Sequence, residues 1–376
     1  MSVAEILALL VAAFAGGALG AAVGALEAFM LAGVLIVVGE ATDLVGGAAA
    51  PDPGLGLSTL GSTGLTASVG LGPLFGPHVA FAGGAAATAF AARQGHLDTD
   101  FRYHEAKHVT RALGPRVDVM AVGGAFGVLG VLVTYASASV GLPWDPIAFS
   151  IVVTGILARV ALGYPLVGTV RGDGLLDMSP YADRARRPAR ADGQPARADG
   201  GVPARSGIDP ADTTGGERRF AVEPWLPHQY RWGEVAALGA VVGVFGAFVT
   251  YRTASPLLAF GITAATLLFL CVGVERFPVT HHVALVSSLS VVGLAGGAAT
   301  PAAVAGEVGL LAALLVGAAF GVVTALAGEL AQRVLYAHAD THVDPPAAAI
   351  VVGSFLVALF DIVGVFQQSA LPTLGL

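Results

Sequence analysis

Charge is what this chain has least of. Only 12% of its 376 residues are Asp, Glu, Lys or Arg, about half the share that wets the surface of an ordinary soluble domain. A surface so poor in charge must face something other than water. The single cysteine, Cys271, excludes a disulfide framework and a cysteine-based metal site. Lysine is almost missing too, since 18 of the 19 basic residues are arginine and the other is Lys107. With a net charge of −7, that bias resembles the proteins of extreme halophiles and suggests a halophilic archaeon as host. No basic stretch precedes the first apolar run, so a cleaved secretory signal is not expected. Phosphate-binding loops, nucleotide fingerprints and Ser-His-Asp spacings are missing as well, which argues against an ATP-driven pump within this chain.

What the chain has is apolar. Hydrophobic residues make up 55% of it, with 52 glycines and a mean hydropathy of +0.76. Small residues at this density suit helices that approach closely in lipid. The expected fold is an all-α integral membrane protein, a polytopic bundle of about nine (8–10) transmembrane helices. Apolar stretches fall at 4–39, 74–94, 118–139, 146–166, 233–251, 255–274, 278–298, 306–335 and 346–368. The first is too long for one straight span and too short for two with a turn. It reads as a long tilted helix, or as a span followed by a half-helix broken near Glu27.

Basic residues stay on the cytoplasmic side. Residues 93–118 hold five of them, 166–232 hold ten, and Arg276 and Arg333 join them if the spans alternate, leaving only Arg252 outside. Arg159 lies within a span, near enough to its end to snorkel. This predicts a multi-pass protein of the cytoplasmic membrane with the 166–232 loop in the cytoplasm, and the N-terminus there too unless 54–75 also crosses. That loop, rich in Arg, Asp, Pro and Gly, repeats PARADG and is almost neutral. It reads as a disordered cytoplasmic linker between two transmembrane halves, 1–165 and 233–376. Without a basic excess it gives no sign of nucleic-acid binding.

The halves share sequence. GVLGVLVTYASAS at 127–139 matches GVFGAFVTYRTAS at 243–255, and 11 of 22 positions are identical from Asp118 and Glu234 onward. This suggests duplicated hairpins, 118–166 and 234–275, in one orientation. A fainter echo joins His78-Val79-Ala80-Phe81 to His282-Val283-Ala284-Leu285, and the span order would make that relation inverted, the kind that supports alternating access.

Three features could carry chemistry. Residues 54–76 are uncharged, glycine-rich and hydroxylated, and fit a re-entrant loop in which Ser58, Thr59, Ser62 and Thr63 touch substrate. Ionisable groups inside spans are costly and mark candidate substrate or proton-relay positions: Glu27, His78, His281, His282, Glu329 and Asp361. Finally, His104-Glu105-Ala106-Lys107-His108 matches the HExxH pattern, whose i, i+4 imidazoles share one helix face. With His338 and His342 on the same side, His104 and His108 could hold a divalent metal, although the polar residues around the motif favour a solvated loop. No resident cofactor is otherwise expected. The bilayer and a small solute or ion are the expected partners. Homo-oligomerisation is open through faces such as Gly16-Gly17-Ala18-Leu19-Gly20. The function expected is a secondary transporter or permease. The alternatives are a passive channel, a membrane metalloenzyme at 104–108 and a structural protein.

Overall fold

The computed structural model describes residues 2–46, 64–97, 103–186, 219–371 and 373. Ten helices carry the fold: α1 (Val3–Val23), α2 (Ala25–Gly46), α3 (Ala80–Arg93), α4 (Val117–Val140), α5 (Pro146–Ala161), α6 (Trp232–Thr253), α7 (Leu258–Ala265, with a further turn at Leu268–Cys271), α8 (His281–Leu294), α9 (Leu310–Ala331) and α10 (Pro345–Ile362). No strand occurs among the described residues beyond one isolated bridge between Arg186 and Phe220. Six helices are long and apolar enough to cross a membrane: α1, α2, α4, α6, α9 with its extension to Tyr336, and α10. Their lipid-facing sides stay apolar and exposed, as at Val11, Val241 and Leu311.

The first apolar run is two helices. Gly24, at φ 107 and ψ 140, stands in a region open only to glycine and reverses the chain between α1 and α2. A Cβ on Gly17 would lie 2.2 Å from the Gly123 carbonyl oxygen, and one on Gly127 would lie 2.5 Å from that of Ala13. α1 therefore runs antiparallel to α4 along a glycine seam. Its start lies beside the end of α4, whereas 103–116, 159–186 and 219–232 gather at the other end. The start of α1 and the described flanks of the 166–232 segment thus lie at opposite ends of the bundle. The cause is local: one glycine turns what reads as a single tilted span into an antiparallel pair.

The first five helices and the last five pack alike. α1 lies on α3 and α4 and meets α2, just as α6 lies on α8 and α9 and meets α7. α3 sits on α4, α2 and α5, and α8 on α9, α7 and α10. A second glycine seam joins α6 to α9, where a Cβ on Gly243 would come within 2.3 Å of the Gly317 carbonyl. The two sets meet through α2 against α7 and α5 against α10. α3 and α8, 14 residues each and almost wholly buried, are about 21 Å long and fall short of the hydrocarbon thickness.

Between α2 and α3 the described residues 64–79 run in turns against α1 and α2, with Thr66 beside Gly39 and Leu74 beside Gly16. Irregular backbone at this depth is enclosed by protein, which supplies the partners lipid cannot. Ser58, Thr59, Ser62 and Thr63 lie outside the described residues, as does 187–218 of the stretch read as a linker. Both flanks of that stretch are packed: Met178, Phe220, Val222, Glu223 and Leu226 are buried, and Glu223 N–H donates to the Ala337 carbonyl (2.9 Å).

Candidate functional site

Between the two helix sets lies a cavity of about 850 Å³, in the size range that holds a small organic ligand. Phe29 and Leu71 wall it from the first set, Phe260 and Leu285 from the second. α5 and α10 bring their N-terminal ends to it, and both start the same way. Asp145 and Asp344 are N-caps followed by Pro146 and Pro345, and each carboxylate accepts a 2.8 Å hydrogen bond from the backbone N–H three residues on, at Ala148 and Ala347. Proline suits the first helical position because its missing N–H would be unpaired there anyway. The two helices cross antiparallel. Asp145 N–H donates to Ser354 Oγ (2.9 Å), and Arg159 Nε donates to Thr341 Oγ1 (2.7 Å).

Two imidazoles line this cavity, each with an unpartnered Nδ1 that is itself closed off from solvent. His281 starts α8 and His342 precedes α10; both line the cavity and are buried, and the Nδ1 of each has no hydrogen-bond partner. Phe29 and Phe260 stand edge-on to His281 at 4.8 and 6.0 Å, and Phe81 stands so to His342 at 5.6 Å. His342 Nε2 lies 3.1 Å from Asp344 Oδ1. At the cavity's outer end, exposed Arg184, Arg231 and Arg276 line it beside Arg186.

Of the other residues singled out in the sequence, few converge here. His282 adjoins His281 but points toward Gly328. His78 is buried before α3, with its Nδ1 unpartnered. Glu27 begins α2 beside Gly24, whereas Asp361 ends α10 and accepts a hydrogen bond from Ser369 N–H (2.6 Å). Glu27 and Asp361 thus lie toward opposite ends of the bundle rather than around one centre. Glu329 is held by Arg333 Nε (2.6 Å) and Gln332 Nε2.

The HExxH residues do not form an α-helix. Glu105–Lys107 is one 3-10 turn, and His104 caps it by accepting the Ala106 N–H at Nδ1 (3.1 Å). A three-residue turn cannot place His104 and His108 as successive turns of an α-helix would. His338 has both ring nitrogens engaged, with Arg171 N–H at Nδ1 (3.3 Å) and the Leu175 carbonyl at Nε2 (3.2 Å). Among the described residues no three His, Cys, Asp or Glu side chains come together as a metal would need.

What this region builds instead is a buried ionic cluster. Lys107 Nζ donates to Glu223 Oε2 (2.7 Å) and to the Tyr336 carbonyl (2.9 Å), and sits 4.4 Å over the Tyr336 ring. Arg219 bonds the other Glu223 oxygen and reaches Asp340 Oδ1 (2.8 Å). Burial pushes Lys107 down to about 8, opposed by Glu223. Burial alone would raise Glu223, but Lys107 and Arg219 outweigh it and hold the carboxyl below its usual range. His104 is driven down to about 3, first by burial and then by Arg219. Arg159, expected to snorkel, is instead completely buried, with bonds to Thr341, Leu166 and Leu335.

A model of a family of unknown function, DUF7973, matches residues 1–374. The chain belongs to that family. No curated protein and no solved structure matches it. The family carries no assigned activity, so a functional reading rests on the cavity and on the helices that frame it.

Proposed function

We propose that this protein is a secondary transporter or permease that carries a small solute or ion through the cavity between its two five-helix sets. The observation that carries the reading is the cavity itself, framed by matching elements from both sets and lined by His281 and His342 with unpartnered nitrogens. We read the sets as inverted repeats. α1 and α6 run in opposite directions, as do α2 and α7, and α5 and α10, while His78-Val79-Ala80-Phe81 and His282-Val283-Ala284-Leu285 fall at the starts of α3 and α8. Inverted repeats around a midplane site support alternating access, because each set can take the conformation of the other. On this reading VTYxxAS marks the ends of two helices, α4 and α6, that hold different places in their sets. The arginine-rich end is cytoplasmic, since every described Lys or Arg outside it is Arg252 alone.

The test needs no known substrate. Ile151 and Ile350 hold corresponding places on α5 and α10 and line the cavity. Single variants Ile151→Cys and Ile350→Cys, each with Cys271→Ala, are exposed to an impermeant thiol reagent in right-side-out and in inverted vesicles. Labelling from both sides, with planar-bilayer conductance at background, supports transport. Labelling from both sides with ohmic conductance identifies a passive channel instead. Labelling from one side alone overturns the reading in favour of a structural role.

A further inference from the structure

The polar groups of the cavity are unequal in what they have left to offer. Its two carboxylates are engaged, Asp145 by Ala148 N–H, and Asp344 by Ala347 N–H and His342. α8, by contrast, begins without a side-chain cap, for Thr280 makes no such bond. The first N–H groups of a helix carry partial positive charge and attract anions. His281, the first residue of α8, is 94% shielded (6% exposed) yet lines the cavity, with Nδ1 lacking any partner. A buried ring nitrogen left unpaired is costly unless a ligand completes it.

The approach to this point is cationic. The charged side chains on the outer part of the cavity are Arg184, Arg186, Arg231 and Arg276. Arg184 and Arg276 are held at φ 54 and 58, where long side chains rarely stand. Deeper in, the walls are aromatic and aliphatic, with Phe29 and Phe260 beside His281 and Phe81 beside His342.

We propose that the cavity takes a small organic anion with an apolar body. Its carboxylate lies at the N-terminus of α8 against His281, and its body lies among Phe29, Phe81 and Phe260. This rests on the reading of the cavity as the solute site and names the class of solute. A cation would pass four arginines to reach the cavity carboxylates, each of which already serves as a helix cap.

Equilibrium dialysis of the purified full chain in detergent tests this, with three probes that differ only at one end: 4-phenylbutyrate, 4-phenylbutylamine and 4-phenylbutanol. The acid is expected to bind at least about tenfold more tightly than the other two, the scale of one charge-assisted hydrogen bond. His281→Phe, which keeps ring volume, is expected to bring the acid level with the alcohol. Should that variant fail to fold, Arg184→Gln/Arg276→Gln changes only exposed side chains and is expected to weaken the acid and leave the alcohol unchanged. Tightest binding of the amine, equal binding of all three, no binding, or an acid preference that survives both changes overturns the proposal. Dialysis reads binding without flux, so its failure is distinguishable from failure of the labelling test of transport.

Discussion

Lys107 shows how a residue's type and its place can point in different directions. In sequence it lies in a polar loop among Arg102, Glu105 and His108, and reads as solvated. In the fold it is 1% exposed against Glu223, which lies 116 positions away. Removing Lys107 leaves Arg219, Glu223 and Asp340 with one uncompensated buried negative charge. Lys107→Met is therefore expected to cost about 3–5 kcal/mol. Lys107→Met/Glu223→Gln is expected to cost less than the single change, as read from chemical unfolding in detergent. His104 gives a pH dependence. Its ordinary value is 6.5 and its folded one about 3, so below pH 6.5 the unfolded chain binds a proton that the folded chain refuses. Stability contributed by neutral His104 is complete above pH 6.5 and falls as pH drops toward 3. Asparagine caps helices well, so His104→Asn is expected to flatten the slope of unfolding midpoint between pH 6.5 and 5. That window lies above the range where Glu223, held low, would titrate. The candidate residues were legible only in part. Buried histidines stand out because polar groups within apolar runs are conspicuous. The Lys107 cluster joins three segments far apart in sequence, and no spacing rule reaches that far.

Helix existence was plain from apolar run length, while the capping chemistry that fixes several starts came into view only with the structure. Asp145-Pro146 and Asp344-Pro345 open α5 and α10 at the positions where the apolar stretches begin. A break near Glu27 was one of two readings of the first apolar run, but its position at Gly24 and the reversal there were not legible. Glycine is so common here that one more carries no signal, and hydropathy is continuous across it. Its conformation makes it specific nonetheless. Gly24→Ala is expected to destabilise by about 1–3 kcal/mol, visible in thermal unfolding. The glycine seams give a second check with its own control. Gly243→Ala puts a methyl 2.3 Å from the Gly317 carbonyl and is expected to cost at least about 1–3 kcal/mol. Gly233, also in α6, has nothing within 4 Å, so Gly233→Ala is expected to be neutral or to stabilise by up to about 1 kcal/mol.

At the scale of the whole molecule, antiparallel α1 and α2 put the start of α1 and the 166–186 segment at opposite ends of the bundle. An epitope before Ser2 and another within the exposed turn at Gly172–Asp173 are thus expected to be reached by impermeant antibody from opposite faces of sealed vesicles. Accessibility of both from the same face would contradict the packing of α1 along α4. The described arginines gather at one end of the bundle, apart from Arg252, whatever the helix count. The N-terminal side was inferred only by counting spans back from Arg93, the first basic residue, and so depended on the helix count.

On the proposed reading of the two sets as inverted repeats, each set of five helices begins at one end of the bundle and finishes at the other, which bears on ancestry. A unit that traverses a bilayer an odd number of times ends on the face opposite its beginning. Joining a second copy by a tether confined to one face therefore turns that copy upside down, with no crossing segment added. If the sets arose by duplication, as that reading proposes, a precursor of one unit inserted in both directions and paired with its own inverted twin. Arginine bias that fixes one direction could accumulate only after the two were fused. The tether between α5 and α6, with ten arginines from 166 to 232, lies where such a bias would then be recorded.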